Sequence, residues 1–345
     1  MGRWIFLFAA SLAASFSANL DATSLYWNSA SAAPGTLALD QVYGVNNSGA
    51  AVGSAGGQAA ETSIYSQILV TLGLPSGYSF GAAINDSGQI AGNWVNAQGY
   101  QQAFFWSQAT GVVEVGTLGG AMSISLAING SGQIVGQSFN GSDDLAAFGW
   151  SLNTGIKPIG DSDSESAVAI TNSGQVAYQE DPYPYQTQYG AIGDINDPSI
   201  LNFNGNGSVI SGMNNQGWLV GESGGQGFLW TANGSWNFGS WFLPAGVNDS
   251  GEVVGSYQGQ PAIWTQSGGI QLLDLGGYSN VYLTGINDNG QIVGDASIPE
   301  PSAPALCLIG VVLMAAGWRR RRMVSACQAQ PYEIRGHDND DHARP

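Results

Sequence analysis

Between Trp4 and Trp318 the chain has one basic residue, Lys157, against 21 aspartates and glutamates. A surface so short of positive charge repels phosphate backbones, which excludes nucleic acid as a partner. Histidine is missing as well: both copies, His337 and His342, fall in the last nine residues. The body of the chain therefore has no Ser-His or Cys-His pair and no histidine-based zinc or iron site. Only two cysteines occur, Cys307 and Cys327, both late in the chain, so no disulfide framework is expected. Neither a metal site nor a cofactor is predicted.

Glycine is what the chain has in quantity. The 345 residues include 51 Gly, are 43% hydrophobic and only 10% charged, which suits a turn-rich β protein with a real core. Much of that glycine sits in one recurring stretch. "INDSGQIAGN" (Ile84 to Asn93) returns as "INGSGQIVGQ" from Ile128, "VNDSGEVVGS" from Val247 and "INDNGQIVGD" from Ile286. Weaker copies start at Val45, Ile170 and Met213. An apolar residue, then Asn-Asp-Ser-Gly, then an alternating run reads as strand, tight turn, strand. Asn bonds its own backbone, Asp and Ser suit the turn centre, and Gly supplies a positive φ, giving a three-residue loop closed by a G1 bulge. Asp86 is expected at a solvated turn tip.

The turn glycines are Gly49, Gly88, Gly132, Gly174, Gly217, Gly251 and Gly290, separated by 39, 44, 42, 43, 34 and 39 residues. Between them recurs a β-rich segment ending in tryptophan: "AFFW" at Trp106, "AFGW" at Trp150, "GFLW" at Trp230 and "PAIW" at Trp264. A further element follows it, as in "VVEVGTLGG" from Val112, "IKPIG" from Ile156 and "IQLLDLGG" from Ile270. Four short strands per period of about 40 residues is the pattern of a propeller blade. The tryptophans are expected to form inter-blade core rather than a stacking platform. The fourth period is the irregular one. Tyr178 replaces a glycine and "EDPYPYQTQYG" replaces the Trp strand, which predicts a degenerate blade or a surface loop.

After the seventh hairpin, at Gly290, no Trp strand follows. Near the N-terminus, "SLYW" (Ser24 to Trp27) and "GTLAL" from Gly35 have no hairpin before them. One end supplies the strands the other lacks. The expected fold is all-β: a seven-bladed β-propeller over residues 24–296, its last blade built from both chain ends, with sheet edges removed by closure.

Two flanking segments read as addresses. "MGRWIFLFAASLAASFS" has Arg3 before an apolar stretch and is predicted to be a secretory signal peptide, residues 1–18. At the other end, Pro299-Glu300-Pro301 precedes a 17-residue apolar stretch, 302–318, at the short limit of a transmembrane helix. Four arginines, Arg319, Arg320, Arg321 and Arg322, follow and are placed in the cytoplasm by the positive-inside rule. This arrangement over residues 298–322 resembles the PEP-CTERM sorting signal. The resemblance implies a Gram-negative, exopolysaccharide-producing setting and recognition by exosortase, a membrane transpeptidase-like enzyme, near Pro299, Glu300 and Pro301. One departure is that the chain continues for residues 323–345, beyond where such tails stop. That segment is polar and expected to be disordered. The repeats resemble the HAF family of extracellular repeats through "AFFW" (Ala103 to Trp106), "GTLGG" (Gly116 to Gly120) and "INGSGQIVG" (Ile128 to Gly136).

Together these features predict a non-catalytic protein of the cell surface or matrix that contacts extracellular polysaccharide or other surface partners. Its implied partners are the Sec translocon, signal peptidase and exosortase, with the membrane engaged through the C-terminal helix before processing. A carboxylate-based glycan hydrolase or lyase is the enzymatic alternative, since two acids suffice for glycoside hydrolysis. The adjacent pairs Asp143-Asp144 and Glu180-Asp181 suit it poorly, because neighbours on a strand point to opposite faces. Calcium binding by the Asn-Asp-Ser-Gly turns is a third class, although those turns lack the acidic ladder of an EF-hand loop.

Overall fold

The computed structural model describes residues 22–75, 77–160, 164–180, 189–203 and 208–297. The predicted signal peptide, sorting signal, membrane helix and tail lie outside them. Among the described residues, 28 strands form seven four-stranded antiparallel sheets. Each sheet is one blade. Blade 2 is typical, with strands Ser79–Ile84, Ile90–Val95, Gln101–Ser107 and Gly111–Glu114 paired in chain order. Blades 1 and 3 to 6 cover residues 41–71, 119–158, 164–203, 208–239 and 242–272.

Blade 7 closes the ring. Its strands Ser279–Ile286 and Ile292–Ser297 are completed by Ala22–Trp27 and Gly35–Thr36, in the order expected from the two ends. Leu25 pairs with Gly294 and Trp27 with Ile292. The first strand of every blade touches the first strands of both its neighbours, so these seven strands surround the axis. Each contains a register shift, for example between Gly81 and Ala83. Two residues before the turn Asn or Thr, every copy has glycine or alanine: Gly44, Ala83, Ala127, Ala169, Gly212, Gly246 and Gly285. Crowding near the axis is the reason. A Cβ on Gly212 would stand 3.5 Å from Gly246 Cα, and one on Gly44 would stand 3.7 Å from Ala83 Cα.

The apolar core lies between blades. Each of the seven interfaces holds one cluster of buried side chains, such as Val52, Leu72, Ile90 and Phe104 between blades 1 and 2. Phe105, Ile134, Phe148 and Trp150 fill the next interface. Leu25, Trp27, Val254 and Ile292 join blades 6 and 7, while Leu37, Leu39, Val42 and Val293 join blades 7 and 1. The recurring tryptophans belong to these clusters: Trp27 and Trp150 are buried, and Trp106, Trp230 and Trp264 pack against them. A blade has only a sheet's two faces to bury, so stacking its neighbours is what supplies a core.

Of the two expectations for the fourth period, degeneracy is not what forms, since all four strands of blade 4 are present; the surface loop expected within "EDPYPYQTQYG" falls on residues 181–188, outside the described residues. In blades 2, 3 and 5 a second-strand glycine faces a third-strand phenylalanine, in the pairs Gly92–Phe104, Gly136–Phe148 and Gly221–Phe228. Blade 4 reverses the sizes, pairing the fully buried Tyr178 with Ala191. The aromatic volume is kept and moved one strand inward, so packing survives the change of motif.

The hairpin turns hold the ring together through asparagine. Asn85 illustrates the pattern: its Oδ1 accepts from its own turn, at Ser87 N and Gln89 N, 3.0 and 2.9 Å. Its Nδ2 donates to Gln89 Oε1 at 2.8 Å and to the Asn129 carbonyl of the next blade at 2.8 Å. All four hydrogen-bonding capacities of a buried amide are thereby used. The inter-blade bond repeats from Asn46 to Asn85, Asn129 to Thr171, Asn214 to Asn248, Asn248 to Asn287 and Asn287 to Asn46. Thr171 has no amide to donate, so the link from blade 4 to blade 5 is missing from this series. Replacing Thr171 with Asn is therefore expected to stabilise the protein by about 1 kcal/mol, raising Tm by roughly 2–4 °C. Asn85→Asp, which keeps the turn acceptor but loses both donors, should lower stability by about 1–3 kcal/mol. Thermal unfolding followed by circular dichroism measures both, and unchanged midpoints would refute this role of the ring.

Candidate functional site

A second circle of bonds lies one residue further along each turn. Asn47 N donates to Asp86 Oδ1 at 2.8 Å, Asn215 N to Asp249 Oδ1 at 2.7 Å and Asp249 N to Asp288 Oδ1 at 2.8 Å. Asp288 N returns to Asn47 Oδ1 at 2.8 Å. Asp86 is exposed, but its carboxylate also accepts from Asn47 Nδ2 at 2.9 Å, so it is an inter-blade acceptor as well as a turn tip. Gly130 lacks a side chain to receive Asp86 N, which leaves that position of the circle without its bond. The turn carboxylates thus have a structural use. Among the described residues, no group of three or more His, Cys, Asp or Glu is placed to hold a metal ion.

The turn glycines all adopt positive φ, from 70° at Gly88 to 92° at Gly174. Asp143 and Asp144 lie in the exposed turn between strands Ile134–Asn140 and Leu145–Ser151, with Asp143 at φ 62°. Glu180 ends strand Gln175–Glu180, and Asp181 lies outside the described residues. Pro299, Glu300, Pro301 and Arg319 to Arg322 lie outside them too. No helix among the described residues is long and apolar enough to cross a membrane.

Two places combine unusual side chains, and sequence reading singled out neither. The first is the closing seam. Ser24 Oγ donates to Asp295 Oδ1 at 2.7 Å, and Val42 N donates to the same oxygen at 3.1 Å. One carboxylate therefore joins the N-terminal strand, the C-terminal strand and blade 1. At the equivalent position blades 2, 3 and 4 have amides, blades 1 and 6 serine and blade 5 Glu222; Asn93 bonds Ser125 N and Ser125 O of the following blade, and Gln179 bonds Ile210 N and Ser208 O. Burial pushes the Asp295 carboxyl up to about 6, and the hydrogen bonds from Ser24 and Val42 only partly oppose it.

The second is a cleft of about 430 Å³ between blades 5 and 6, beside the turn at Gly251. Trp218, Trp236 and Trp264 line it together with Glu252 and Gln266. Trp236 and Trp264 lie 6.4 Å apart at 57°, and Phe238 supports Trp264 edge-on at 5.1 Å. Glu252 Oε2 accepts from Asn248 Nδ2 at 2.7 Å, which fixes the carboxylate. Chemically the cleft offers indole faces and a hydrogen-bonding rim.

The protein is a seven-bladed propeller, and solved structures share that fold. It is similar to a putative TolB from Agrobacterium tumefaciens, with 7% identity and a TM-score of 0.50 over 81% of this chain and 99% of that one. A chain of the mitotic checkpoint complex is similar at 11% identity and TM-score 0.50, over 76% of this chain and 89% of that one. At such identity the likeness concerns the fold alone. No curated protein matches the chain. Residues 297–322 match the PEP-CTERM protein-sorting motif, a span that includes Pro299 to Pro301 and the arginine cluster. That motif marks the protein for exosortase-dependent export to the cell surface.

The seam predicts a pH dependence. Asp295 keeps its proton to a higher pH in the folded state than in the unfolded chain, where its carboxyl titrates near 4. The folded state then binds more protons between about pH 4 and 6, so this group's contribution to stability falls as pH rises through that window. Replacing Asp295 with Asn should remove the dependence. The stability difference between variant and wild type should grow, in the variant's favour, by up to about 3 kcal/mol from pH 4 to pH 7. Chemical denaturation across that range tests this, and a difference independent of pH would contradict it.

Proposed function

We propose that this is an exported surface or matrix protein whose propeller is a non-catalytic module contacting extracellular polysaccharide. The sorting motif at residues 297–322 carries the reading. In this account residues 1–18 direct the chain through the Sec translocon and are removed by signal peptidase. The apolar stretch 302–318 holds the precursor in the inner membrane of a Gram-negative cell until exosortase acts near Pro299-Glu300-Pro301. Two further observations support the non-catalytic part. The turn carboxylates Asp86, Asp249 and Asp288 accept hydrogen bonds from neighbouring turns. The residues from Trp4 to Trp318 also lack histidine. An acidic exported surface accommodates neutral glycans and repels phosphate polymers.

Changing Pro299-Glu300-Pro301 to Ala-Ala-Ala tests the address. Intact mass and cell fractionation should find the wild type ending near residue 301 and released from the inner membrane, with the variant retained there. If both keep residues 302–345 in the inner membrane, the sorting role fails. The released wild type should also be held by the producing cells' polysaccharide without generating reducing or unsaturated ends. Release of such ends would make it an enzyme.

A further inference from the structure

The seven repeats provide an internal reference, and two of the three cleft tryptophans are exceptions to it. Directly after the turn glycine the repeats place Ala50, Gln89, Gln133, Gln175, Trp218, Glu252 and Gln291. The glutamine serves the turn, since Gln89, Gln133 and Gln291 each accept a hydrogen bond from the ring asparagine of their own hairpin, at 2.7–2.8 Å. Trp218 offers no such acceptor, so blade 5 forgoes the bond to Asn214. Its indole lies across the next turn, the place that Gln89 and Gln175 take against Gly132 and Gly217. A Cβ on Gly251 would come within 2.6 Å of Trp218 Cζ3, so the glycine's bare face gives the ring its seat.

Trp236 is the second exception. It faces Leu229 in the outermost strand of blade 5, where blades 2, 3 and 6 place Val113, Lys157 and Gln271 in the same register. Both exceptions meet the recurring Trp264 in one open cleft. Glu252, also a replacement for glutamine, stands beside them: its Oε2 is held by Asn248, and its Oε1 accepts no hydrogen bond from a described residue.

From this convergence we infer that the cleft between blades 5 and 6 is a binding subsite for a neutral pyranose glycan, with Trp218, Trp236 and Trp264 as the stacking faces and Glu252 and Gln266 as hydroxyl partners. The chemistry fits in both halves. Sugar C–H bonds are polarised positively by neighbouring oxygens and settle on the negative face of an indole. Hydroxyl groups donate strongly to a carboxylate. A uronate or sulfate would meet Glu252 and the acidic turns nearby, and among the described residues no basic side chain lines the cleft to receive it. The inference rests on the polysaccharide-contact reading above and adds the place and the glycan class.

The decisive variant is Trp218→Gln, because glutamine is the residue the repeat itself uses there and returns an acceptor to Asn214. The variant should fold, the acceptor returned to Asn214 offsetting part of the packing that Trp218 gives to the cluster between blades 5 and 6. Full-length protein in a detergent without sugar headgroups would be titrated with cellohexaose, xylohexaose and an isomaltose hexamer, followed by tryptophan fluorescence. Oligogalacturonate would serve as the anionic control. Wild type should show a saturable change with at least one neutral hexamer and none with the anion. Trp218→Gln should bind that hexamer at least about tenfold more weakly. Equal binding by the variant, binding of the anion only, or no saturable binding of the three neutral hexamers would overturn the subsite. So would a concentration-dependent dimer that Trp218→Gln dissociates, since the cleft's occupant would then be a second copy. Retention on the producing cells' polysaccharide separates this from the broader reading. If wild type and Trp218→Gln are both retained, surface contact stands and the subsite fails; if wild type is not retained, the broader reading fails.

Discussion

A buried asparagine amide that reaches from one blade to the next is the interaction on which this ring depends. Each turn Asn ends its own hairpin with Oδ1 and grips the following turn's carbonyl with Nδ2, as Asn287 does to Asn46 across the closing seam. Such a group is costly to bury unpaired and specific when fully paired, so it fixes angle and spacing as well as adding stability. Aspartate would supply the acceptor but no donor, and serine would be too short to span the interface. The apolar clusters between blades supply most of the driving force, but they are non-directional. The amide circle determines the geometry in which they pack.

With that circle as reference, irregular residues become informative. Thr171 and Gly130 each remove a single bond and leave the blade intact. Tyr178 exchanges volume with Ala191 and keeps a blade whose sequence looks degenerate. Trp218 differs in kind, because it relinquishes the glutamine's bond to its ring asparagine, and with Trp236 and Glu252 it gathers at one open place. Asp295 is the other departure: a buried carboxylate where blades 2 to 4 use Asn93, Gln137 and Gln179, set where both chain segments and blade 1 meet. There the closing seam becomes sensitive to protons.

Much of this is legible in the sequence. The hairpins are local events, specified by Asn-Asp-Ser-Gly and a positive-φ glycine within five residues. Seven such signals at a steady spacing indicate the blade number, and "SLYW" without a hairpin indicates the closure. The sorting motif is readable for the same reason, since its order of Pro-Glu-Pro, apolar stretch and arginines is contiguous. The fourth blade looks degenerate only if the motif has to persist, whereas packing requires no more than its volume. The glycine-or-alanine position before each turn is in plain view, but its reason is crowding at an axis that no local window contains.

The sequence by itself thus determined the repeat, its strands, the closure and the address, all through chemistry acting over a few residues or through a simple period. Tertiary structure decided which atoms meet across 34 to 44 residues of chain at successive turns and across 241 and 271 at the closing seam. It gave each ring asparagine its carbonyl, set Asp295 against Ser24 and Val42, and brought Trp218, Trp236 and Trp264 to one cleft. Those outcomes depend on how neighbouring sheets pack against each other, and that angle is settled only when all seven blades close.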